Sequence, residues 1–472
     1  MNFKFDSGSK IILLLTILFA LPILMNGIYY QDDILRSLTG VDGSWNDRGR
    51  LLSTAVLVAL GFGGDFLVNL FPFTYIIAVI VLAMSSIILY NRFAIERSIL
   101  SGVAFSLFSL NPFLLQNLSY QFDSLPMMLS IFFATVPFSV YFTEKKIHHR
   151  MILTIACLII SLSLYQIAIN IFISLSAIEI IHSIYKSNYS TASIKRALEK
   201  VFLLIVSMLI YLKSITPFLS QTIPTKIIEN TAYFHINLNK YLEILNPLDT
   251  NPFHMAWGIP IILSCIALAL MVYKIIINNN KFSMRFYLIS LIALSFIIVI
   301  FSIFGPFILI QNTVVQPRVM MGLSGLMVLV AFLCSTIKTR FPIAILLIPP
   351  VVLSLSISSA FGNASKSQRN LEDKVFFDIA NNIPESWKSG DIYVYGQIST
   401  TQAAKMEIKR FPIIKRLTVP LYDWTGMLML GHYDVRSRID NPNSFNKYRG
   451  DIIIDKNNYT LEHGKRNIVI LK

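Results

Sequence analysis

The chain has 472 residues, of which 54% are hydrophobic and only 14% are charged, and its formal net charge is +14. A soluble protein carries about 25% charged residues, and the mean hydropathy of +0.62 indicates several membrane-spanning segments. This composition excludes a disordered chain and a nucleic-acid-binding protein, since excess Lys and Arg in a membrane protein usually mark cytoplasmic loops. The three cysteines lie inside apolar segments, without the spacing of a disulfide or zinc site.

Apolar segments long enough to cross a bilayer occur throughout the first three quarters of the chain. They predict eleven spans: 11–28, 73–90, 99–118, 126–142, 151–164, 167–184, 201–215, 256–273, 286–305, 321–337 and 341–360. The first apolar run is too long for a signal-peptide core and is expected to stay uncleaved. Residues 51–70 are interrupted by glycines and Asp65, which favours a short interfacial helix over a span. Residues 151–184 are too long for one crossing and are divided at Tyr165 and Gln166.

The distribution of positive charge predicts the orientation of these spans. With the N-terminus in the cytoplasm, the inner segments hold sixteen Lys and Arg residues and the outer loops hold seven. After residue 360 the charge density becomes that of a soluble protein. There "DIYVYG" and "NIVILK" predict short buried strands, and "KSQRNLEDKVFFDIANNIP" predicts an amphipathic helix ended by Pro384. We therefore expect a transmembrane domain over 1–360 and a small periplasmic α/β domain over 361–472.

Ionisable residues concentrate directly after the first span. The stretch "YYQDDILRSLTGVDGSWNDRGR", Tyr29 to Arg50, contains four aspartates and three arginines. The other polar motifs of the predicted spans fall on the same outer face, where nucleotide sugars are not available. A donor used there must carry its own activation, and a lipid-linked sugar phosphate does so. Its transfer needs a carboxylate that takes the proton of the acceptor hydroxyl and cations that hold the departing phosphate.

Candidate residues for each of these roles lie in the outer loops. Asp33 and Asp32 are the predicted catalytic carboxylates, because mutual repulsion raises the pKa of one member of such a pair. Asp33 is preferred, since it is one residue further from the span. The predicted donor-phosphate ligands are Arg318, Arg48 and Arg50. The predicted substrate-binding residues are Asp123, Tyr165, Gln166 and Trp45.

Each assignment has a plainer alternative. The aspartate pair also fits a helix end at the headgroup boundary, and the two loop arginines also fit contacts to lipid phosphates. Arg318 fits an interfacial anchor whose long side chain reaches the membrane surface. Asp123 fits an N-cap for a helix starting near Pro126, and Tyr165 and Gln166 fit interfacial packing.

Four motifs in order resemble one family. "GIYYQDDILRSLTG…W…RGR", "YQFDSLPMML", "SLYQ" and "QPRVMMGL", within residues 20–335, are similar to the serotype-converting O-antigen glucosyltransferases of Gtr type II. The resemblance implies a GT-C membrane glycosyltransferase, in which the first-loop acid, here Asp32 or Asp33, is catalytic. It also permits a divalent metal at that acid, although no cofactor is firmly predicted. One departure is Leu51, where family members often have a proline after "GR".

The resemblance also implies the reaction and its partners. The donor is undecaprenyl-phosphate-glucose, the acceptor is a sugar of the lipid-linked lipopolysaccharide O-antigen, and the location is the periplasmic face of the bacterial inner membrane. A functional link to a flippase and to a donor-making glucosyltransferase follows. The expected fold is an all-α polytopic membrane protein of GT-C type with about eleven transmembrane helices and a small C-terminal α/β domain. Open alternatives are a GT-C transferase for another lipid-linked sugar and a flippase or transporter of lipid-linked glycan.

Overall fold

The structure, a computed structural model, is mostly helical and ends in a small mixed sheet. It describes residues 5–40, 45–64, 66–187, 194–218, 227–311, 313, 315–337, 343–388, 392–438 and 449–472. The helices of its first half are α1 (Ser7–Asn26), α2 (Asp32–Thr39), α3 (Leu51–Leu60), α4 (Phe73–Phe93), α5 (Ile99–Ser106), α6 (Leu114–Ser119), α7 (Ser124–Thr135), α8 (Val140–Glu144), α9 (Ile147–Leu164), α10 (Ile169–Lys186) and α11 (Ile194–Ile215).

The second half contains the remaining helices and all five strands. The helices are α12 (Thr231–Leu245), α13 (Asn251–Asn278), α14 (Phe282–Phe304), α15 (Leu323–Thr336), α16 (Ile348–Asn382), α17 (Glu385–Lys388), α18 (Gln402–Arg410), α19 (Ile414–Leu417) and α20 (Asp423–Gly431). The strands are β1 (Ile392–Gly396), β2 (Ser437–Arg438), β3 (Asp451–Asp455), β4 (Tyr459–His463) and β5 (Asn467–Leu471).

Eight helices in the described part of the chain are long and apolar enough to cross a membrane. They are Ser7–Asn26, Phe73–Phe93, Ile147–Leu164, Gln166–Lys186, Asn251–Asn278, Phe282–Phe304, Pro317–Thr336 and Ile343–Asn382. The polytopic helical architecture is therefore confirmed, whereas the number of eleven spans stays a prediction. Helix α11 covers the predicted span 201–215, but it carries several charged residues.

Two predicted spans differ in the structure. Residues 99–118 do not form one helix: α5 ends at Ser106, and the chain turns at Asn111 and Pro112 before α6 begins. A proline disfavours helical backbone in the residue before it and lacks an N–H group, so the break has a local cause. The region 126–142 is similarly divided, because α7 ends at Thr135 and a short 3-10 turn follows.

The predicted break in the stretch 151–184 is confirmed. Helix α9 ends at Leu164, Tyr165 has extended backbone, and a 3-10 turn leads into α10. Residues 51–60 form the short helix α3, which stops at Gly61 as the glycine-rich sequence predicts. Both features place irregular backbone next to the predicted outer loops.

Charged side chains also meet at the opposite ends of these helices. Glu179 of α10 is buried and accepts a hydrogen bond of 2.9 Å from Arg92 of α4. It also forms an ion pair with Lys200 of α11. Arg150 of α9 lies 2.6 Å from Glu199 of α11, measured between NH2 and Oε2. Charges inside a helical membrane protein are costly unless they are paired, so this cluster fixes four helices to one another.

The C-terminal region forms a five-stranded sheet with a core of its own. The strand order is β2-β1-β5-β4-β3, with β1 parallel to β2 and β5, and with β3, β4 and β5 antiparallel. The strands predicted from "DIYVYG" and "NIVILK" are confirmed as β1 and β5. Helix α16 runs without interruption through residue 360, so the division into two domains stays a prediction. Ile34 of α2 packs in the core of this region.

Candidate active site

The segment after α1 turns sharply and places Asp33 in the protein interior. Asp33 is completely buried. Its carboxylate accepts backbone hydrogen bonds from Tyr30 at 3.1 Å, Gln121 at 2.8 Å and Phe122 at 3.3 Å. A carboxylate at this position also suits the positive N-terminal end of α2. Asp33 therefore connects the first outer loop to the segment before α7.

The pKa of Asp33 is raised to about 7. Burial is the main cause, and the negative charge of Asp123 acts in the same direction. The hydrogen bond from Gln121 and the charge of Arg36 act against this rise. Asp33 is thus a carboxyl group without access to solvent, and its pKa lies near neutral pH.

A second buried carboxylate, Asp123, organises the arginines of the same loop. Its Oδ1 accepts hydrogen bonds from Arg50 at 2.7 Å and from the Trp45 indole at 2.8 Å. Its Oδ2 lies 2.9 Å from Arg36 NH1. The Arg36 guanidinium also lies over the Trp45 ring, 4.3 Å from its centroid. Burial acts to raise the pKa of Asp123, but Arg36 and Arg50 outweigh it and hold the pKa at about 2.

The end of the loop after α2 contacts the break between α9 and α10. Arg50 Nε donates to the Leu164 carbonyl at 2.9 Å, and its guanidinium lies 4.9 Å from the centroid of the Tyr165 ring. The Gln166 side chain donates to the Arg48 carbonyl at 2.8 Å. The free C=O of a helix end needs a donor, and Arg50 supplies it here.

Arg318 lies in the 3-10 turn Pro317–Gly322, directly before α15. Its backbone N–H donates to Gln116 Oε1 at 2.7 Å, and its NH1 donates to the Tyr120 hydroxyl at 2.7 Å. Gln116 in turn donates to the Tyr30 hydroxyl at 3.1 Å. The rings of Tyr30 and Tyr120 meet edge to face, with centroids 4.9 Å apart. Arg318 remains partly exposed, and this network fixes its position.

Asp32 faces the same space as Arg318. Its side chain is 30% exposed, and its Oδ2 lies 3.8 Å from Arg36 NH2. Burial raises the pKa of Tyr120 well above its usual value; the charge of Arg318 acts against this rise, and the charges of Asp32 and Asp123 add to it. Burial and the charges of Asp423 and Asp32 also raise the pKa of Tyr422. Asp32 is therefore a partly exposed carboxylate whose charge acts on Tyr120 of the membrane part and on Tyr422 of the C-terminal region.

The predicted site residues fall into two groups in the structure. Asp32, Arg48 and Arg318 are exposed or partly exposed, and Arg48 has no ion pair with a described residue. The others are built into the scaffold: Asp33, Trp45, Arg50, Asp123 and Tyr165 are all buried, and Gln166 is half-buried but bonded to Arg48 and Tyr211.

This burial bears on several of the predictions about individual residues, which stay predictions. The preference for Asp33 over Asp32 as the base is not supported, since its carboxylate is enclosed and receives three backbone N–H groups. Direct substrate contact by Trp45 is not supported either, because only 1% of this residue is exposed. The capping role considered for Asp123 is wrong, since its side chain caps no backbone N–H of α7. Arg50 is neutralised by Asp123 rather than free to bind a donor phosphate.

Some residues of this network were not assigned from the sequence. Arg36 had a usable signal, since it lies four positions after Asp32 and so shares its face of α2. Tyr120 and Gln116 precede a predicted loop acid, but nothing in their spacing connects them to Arg318. Tyr422 is almost 400 residues from Asp32, and only the folded chain brings them together.

The described carboxylates do not fit a divalent metal site. Within the described ranges, no group of three His, Cys, Asp or Glu residues is arranged to hold a metal ion. The carboxylate of Asp33 accepts hydrogen bonds from backbone N–H groups, and that of Asp123 contacts two arginines and an indole N–H. Asp32 is partly exposed, but its Oδ2 faces the Arg36 guanidinium at 3.8 Å, and a single carboxylate does not make a site for a hard cation.

Comparison with known proteins identifies the family. The family model described as Glucosyl transferase GtrII matches residues 21–329, which include every candidate residue above. The chain belongs to the GtrII glucosyl transferase family. A relative from Salmonella phage P22, described as an uncharacterized 55.3 kDa protein in the gtrB 5′ region, is 27% identical over 415 residues, covering 80% of each chain. No solved structure matches the chain.

Family membership confirms the resemblance drawn from the four motifs. It implies glycosyltransferase activity, and the helices identify the enzyme as a membrane protein. The matched region ends inside α15, so α16 and the sheet lie outside it. Asp32, Tyr120 and Arg318 lie within the matched range, whereas Tyr422 lies outside it.

Proposed function

We propose that this chain transfers glucose from undecaprenyl-phosphate-glucose to a sugar of lipid-linked O-antigen, on the periplasmic face of the bacterial inner membrane. The observation that carries this proposal is the presence, within a GtrII family member, of an accessible carboxylate, Asp32, whose negative charge acts on a fixed, partly exposed cation, Arg318. Arg318 lies at the start of a helix that is apolar enough to span a membrane, and Asp32 begins α2 shortly after such a helix, α1, has ended. A donor with a lipid tail and a phosphate suits such a location.

The proposed chemistry uses these two groups in complementary roles. The acceptor hydroxyl oxygen attacks C1 of the donor glucose, and its proton passes to the Asp32 carboxylate. The bond between C1 and the phosphate oxygen breaks, and undecaprenyl phosphate leaves with the bonding electrons. Arg318 stabilises the negative charge that develops on the phosphate. The hydrogen bond from Arg318 to Tyr120 holds the guanidinium in place before the donor arrives.

The remaining loop residues have supporting roles in this proposal. Asp33 holds the first turn of α2 through backbone hydrogen bonds, which orients the adjacent Asp32. This turn is supported by a buried ion cluster of Asp123, Arg36 and Arg50. Arg48, which is exposed, is available for the donor phosphate or a lipid headgroup.

The transporter alternative receives less support. A carrier of charged glycan is expected to hold functional charges along a pathway inside its spans. Glu179, a buried carboxylate of the described helix α10, is neutralised by Arg92 and Lys200. Membership in a glucosyl transferase family also favours an enzyme.

A donor assay in membrane vesicles tests the proposal. Vesicles containing the chain and lipid-linked O-antigen are supplied with radiolabelled undecaprenyl-phosphate-glucose, undecaprenyl-phosphate-mannose or UDP-glucose. We expect label in the O-antigen only with the first donor, and none with an Asp32→Asn variant. Transfer directly from UDP-glucose would contradict a lipid-linked donor, and transfer from the mannosyl lipid would identify a different sugar specificity.

A further inference from the structure

A cavity of about 470 Å³ is lined in part by Tyr29 and Ile34, which flank Asp32 in the sequence. This volume is in the range of about 300–1,000 Å³ that is typical of small-molecule sites. Three parts of the chain line it: the outer end of α1 with the following residues up to Tyr29, one face of α16, and the end of α20 at His432 and Tyr433. It therefore lies where the membrane helices meet the C-terminal region.

The walls of this cavity are fixed by contacts between those parts. Arg369 donates to the Tyr29 carbonyl at 2.8 Å, and the Tyr433 hydroxyl donates to the Asp373 carbonyl at 3.1 Å. The rings of Tyr29 and His432 are stacked, with centroids 5.6 Å apart and planes inclined by 24°. The cavity is thus preformed, and a stacked aromatic pair, Tyr29 and His432, forms part of its lining.

Three polar side chains of α16 reach the cavity without a hydrogen-bond partner among the described residues: Lys366, Asn370 and Asp373. Their spacing of four and three positions puts them on one face of the helix. Together they offer an ammonium, an amide and a carboxylate, which can donate to and accept from several hydroxyl groups. The structure described here gives these groups no other function.

The charge of the lining argues for a neutral ligand. Lys366 and Arg369 are the cations of the lining, and Asp373 is its carboxylate. Arg369 also faces the buried Glu372, with 3.8 Å between NH1 and Oε2, so the positive charge is largely balanced. A phosphate would meet the carboxylate of Asp373, whereas a sugar can use it as a hydrogen-bond acceptor. Aromatic surfaces next to such polar groups suit the apolar faces of sugar rings.

We propose that this cavity binds neutral sugar residues of the acceptor glycan, away from the residue that is modified. This inference rests on the proposed function, and it gives the C-terminal region a role in acceptor recognition. The cavity and Asp32 share the segment from Tyr29 to Ile34. A glycan held in the cavity is therefore anchored next to the turn that carries the proposed base.

A binding measurement tests this site without relying on transfer. Full-length protein in phosphatidylcholine nanodiscs is titrated with lipid-free O-antigen polysaccharide, released by mild acid from the strain that carries the chain. We expect Asn370→Ala and Asp373→Asn each to raise the Kd about tenfold, corresponding to the loss of one or two hydrogen bonds. Lys374→Ala, an exposed change on the same helix but outside the cavity, is the matched control and should bind like the wild type.

The remaining outcomes separate this inference from the proposed function. An Asp32→Asn protein should bind the polysaccharide normally although it transfers no glucose. If both cavity variants bind like the wild type at equal thermal stability, the glycan site is refuted while transfer by the wild type still supports the proposed function. Loss of wild-type binding in nanodiscs with phosphatidylglycerol would also overturn it, because it would identify the cavity as an anionic lipid site. If the wild type transfers no glucose but the cavity variants bind the glycan more weakly than the wild type, the glycan site is supported and the transferase is rejected.

Discussion

Arg50 donates a hydrogen bond of 2.7 Å to Asp123, and this contact joins the first outer loop to the segment 73 residues further along the chain. Both side chains are buried, and Arg36 occupies the other carboxylate oxygen. Both guanidinium groups contact the Asp123 carboxylate, and that of Arg36 also lies over the Trp45 ring. Asp32 contacts this buried cluster through Arg36, so its position depends on the integrity of the cluster.

Substitution of Asp123 by alanine should destabilise the protein. It removes the carboxylate that faces the buried Arg50 and leaves Arg36 only the more distant Asp32, at 3.8 Å. Loss of one partner of a buried ion pair typically costs about 3–5 kcal/mol. We expect a clear loss of folded protein from detergent-solubilised membranes, measured by fluorescence-detected size-exclusion chromatography after heating. Arg48→Ala removes an exposed arginine of the same loop and should leave stability unchanged. Equal melting curves for the two variants would show that the Asp123 cluster does not hold the loop.

Arg318→Ala should abolish most transfer while leaving the amount of membrane protein unchanged. The loss of one preorganised charge stabiliser typically costs about 10²–10³ in rate. Arg318→Lys should restore only part of the rate, since an ammonium cannot reproduce bidentate contact with a phosphate. Tyr120→Phe removes only the hydroxyl that accepts from Arg318 and should have a smaller effect. Initial rates with labelled lipid donor measure all three, and full activity of the alanine variant would reduce Arg318 to a membrane anchor.

The raised pKa of Asp33 predicts a pH dependence of stability. Between its unfolded pKa of about 4 and its folded pKa of about 7, the native protein binds a proton that the unfolded chain has lost. The contribution of Asp33 to stability is thus complete below about pH 4 and is lost as the pH rises through about 7. The wild type should therefore show a steeper fall in Tm between pH 5 and 8 than Asp33→Asn. Parallel curves would show that Asp33 is ionised throughout this range.

The orientation of the chain can be tested with reporter fusions. Fusions at Lys145 and Lys281 should report cytoplasm, and a fusion at Lys472 should report periplasm, because the inner segments carry the excess of positive charge. A fusion at Lys195 should also report cytoplasm. A fusion at Ser220, which lies outside the described residues, should report periplasm. A cytoplasmic signal from Lys472 would be incompatible with eleven spans and would move the sheet and Tyr422 away from a periplasmic site.

Local signals in the sequence predicted much of the fold. The polar break at Tyr165 and the short strands of the C-terminal region came from composition and periodicity. The interruption of the span 99–118 at Asn111 and Pro112 had a visible signal in the X-Pro pair, but the overall hydrophobicity of the segment concealed it. Helix α16 was divided at residue 360 because its composition changes there, although its backbone does not.

The roles of neighbouring residues in the site could not be predicted in the same way. Asp32 and Asp33 are adjacent, and which one is enclosed depends on the N–H groups of Gln121 and Phe122, almost 90 residues away. The burial of Trp45 likewise depends on Asp123, which a pattern within the loop does not reveal. Motif order thus located the site, whereas long-range hydrogen bonds decide which of its carboxylates is accessible.

The most direct test of the account compares Asp32→Asn with Asp33→Asn in cells. Both changes keep the size of the side chain and remove its charge, and O-antigen glucosylation is measured by NMR at matched amounts of membrane protein. Loss of a positioned general base typically lowers the rate by about 10²–10⁴, so Asp32→Asn should eliminate the modification. Asp33→Asn should retain it, at a rate within about tenfold of the wild type, because Asp33 acts only on the position of its neighbour. Normal glucosylation by Asp32→Asn, together with its loss in Asp33→Asn, would contradict the assignment of the accessible carboxylate as the base.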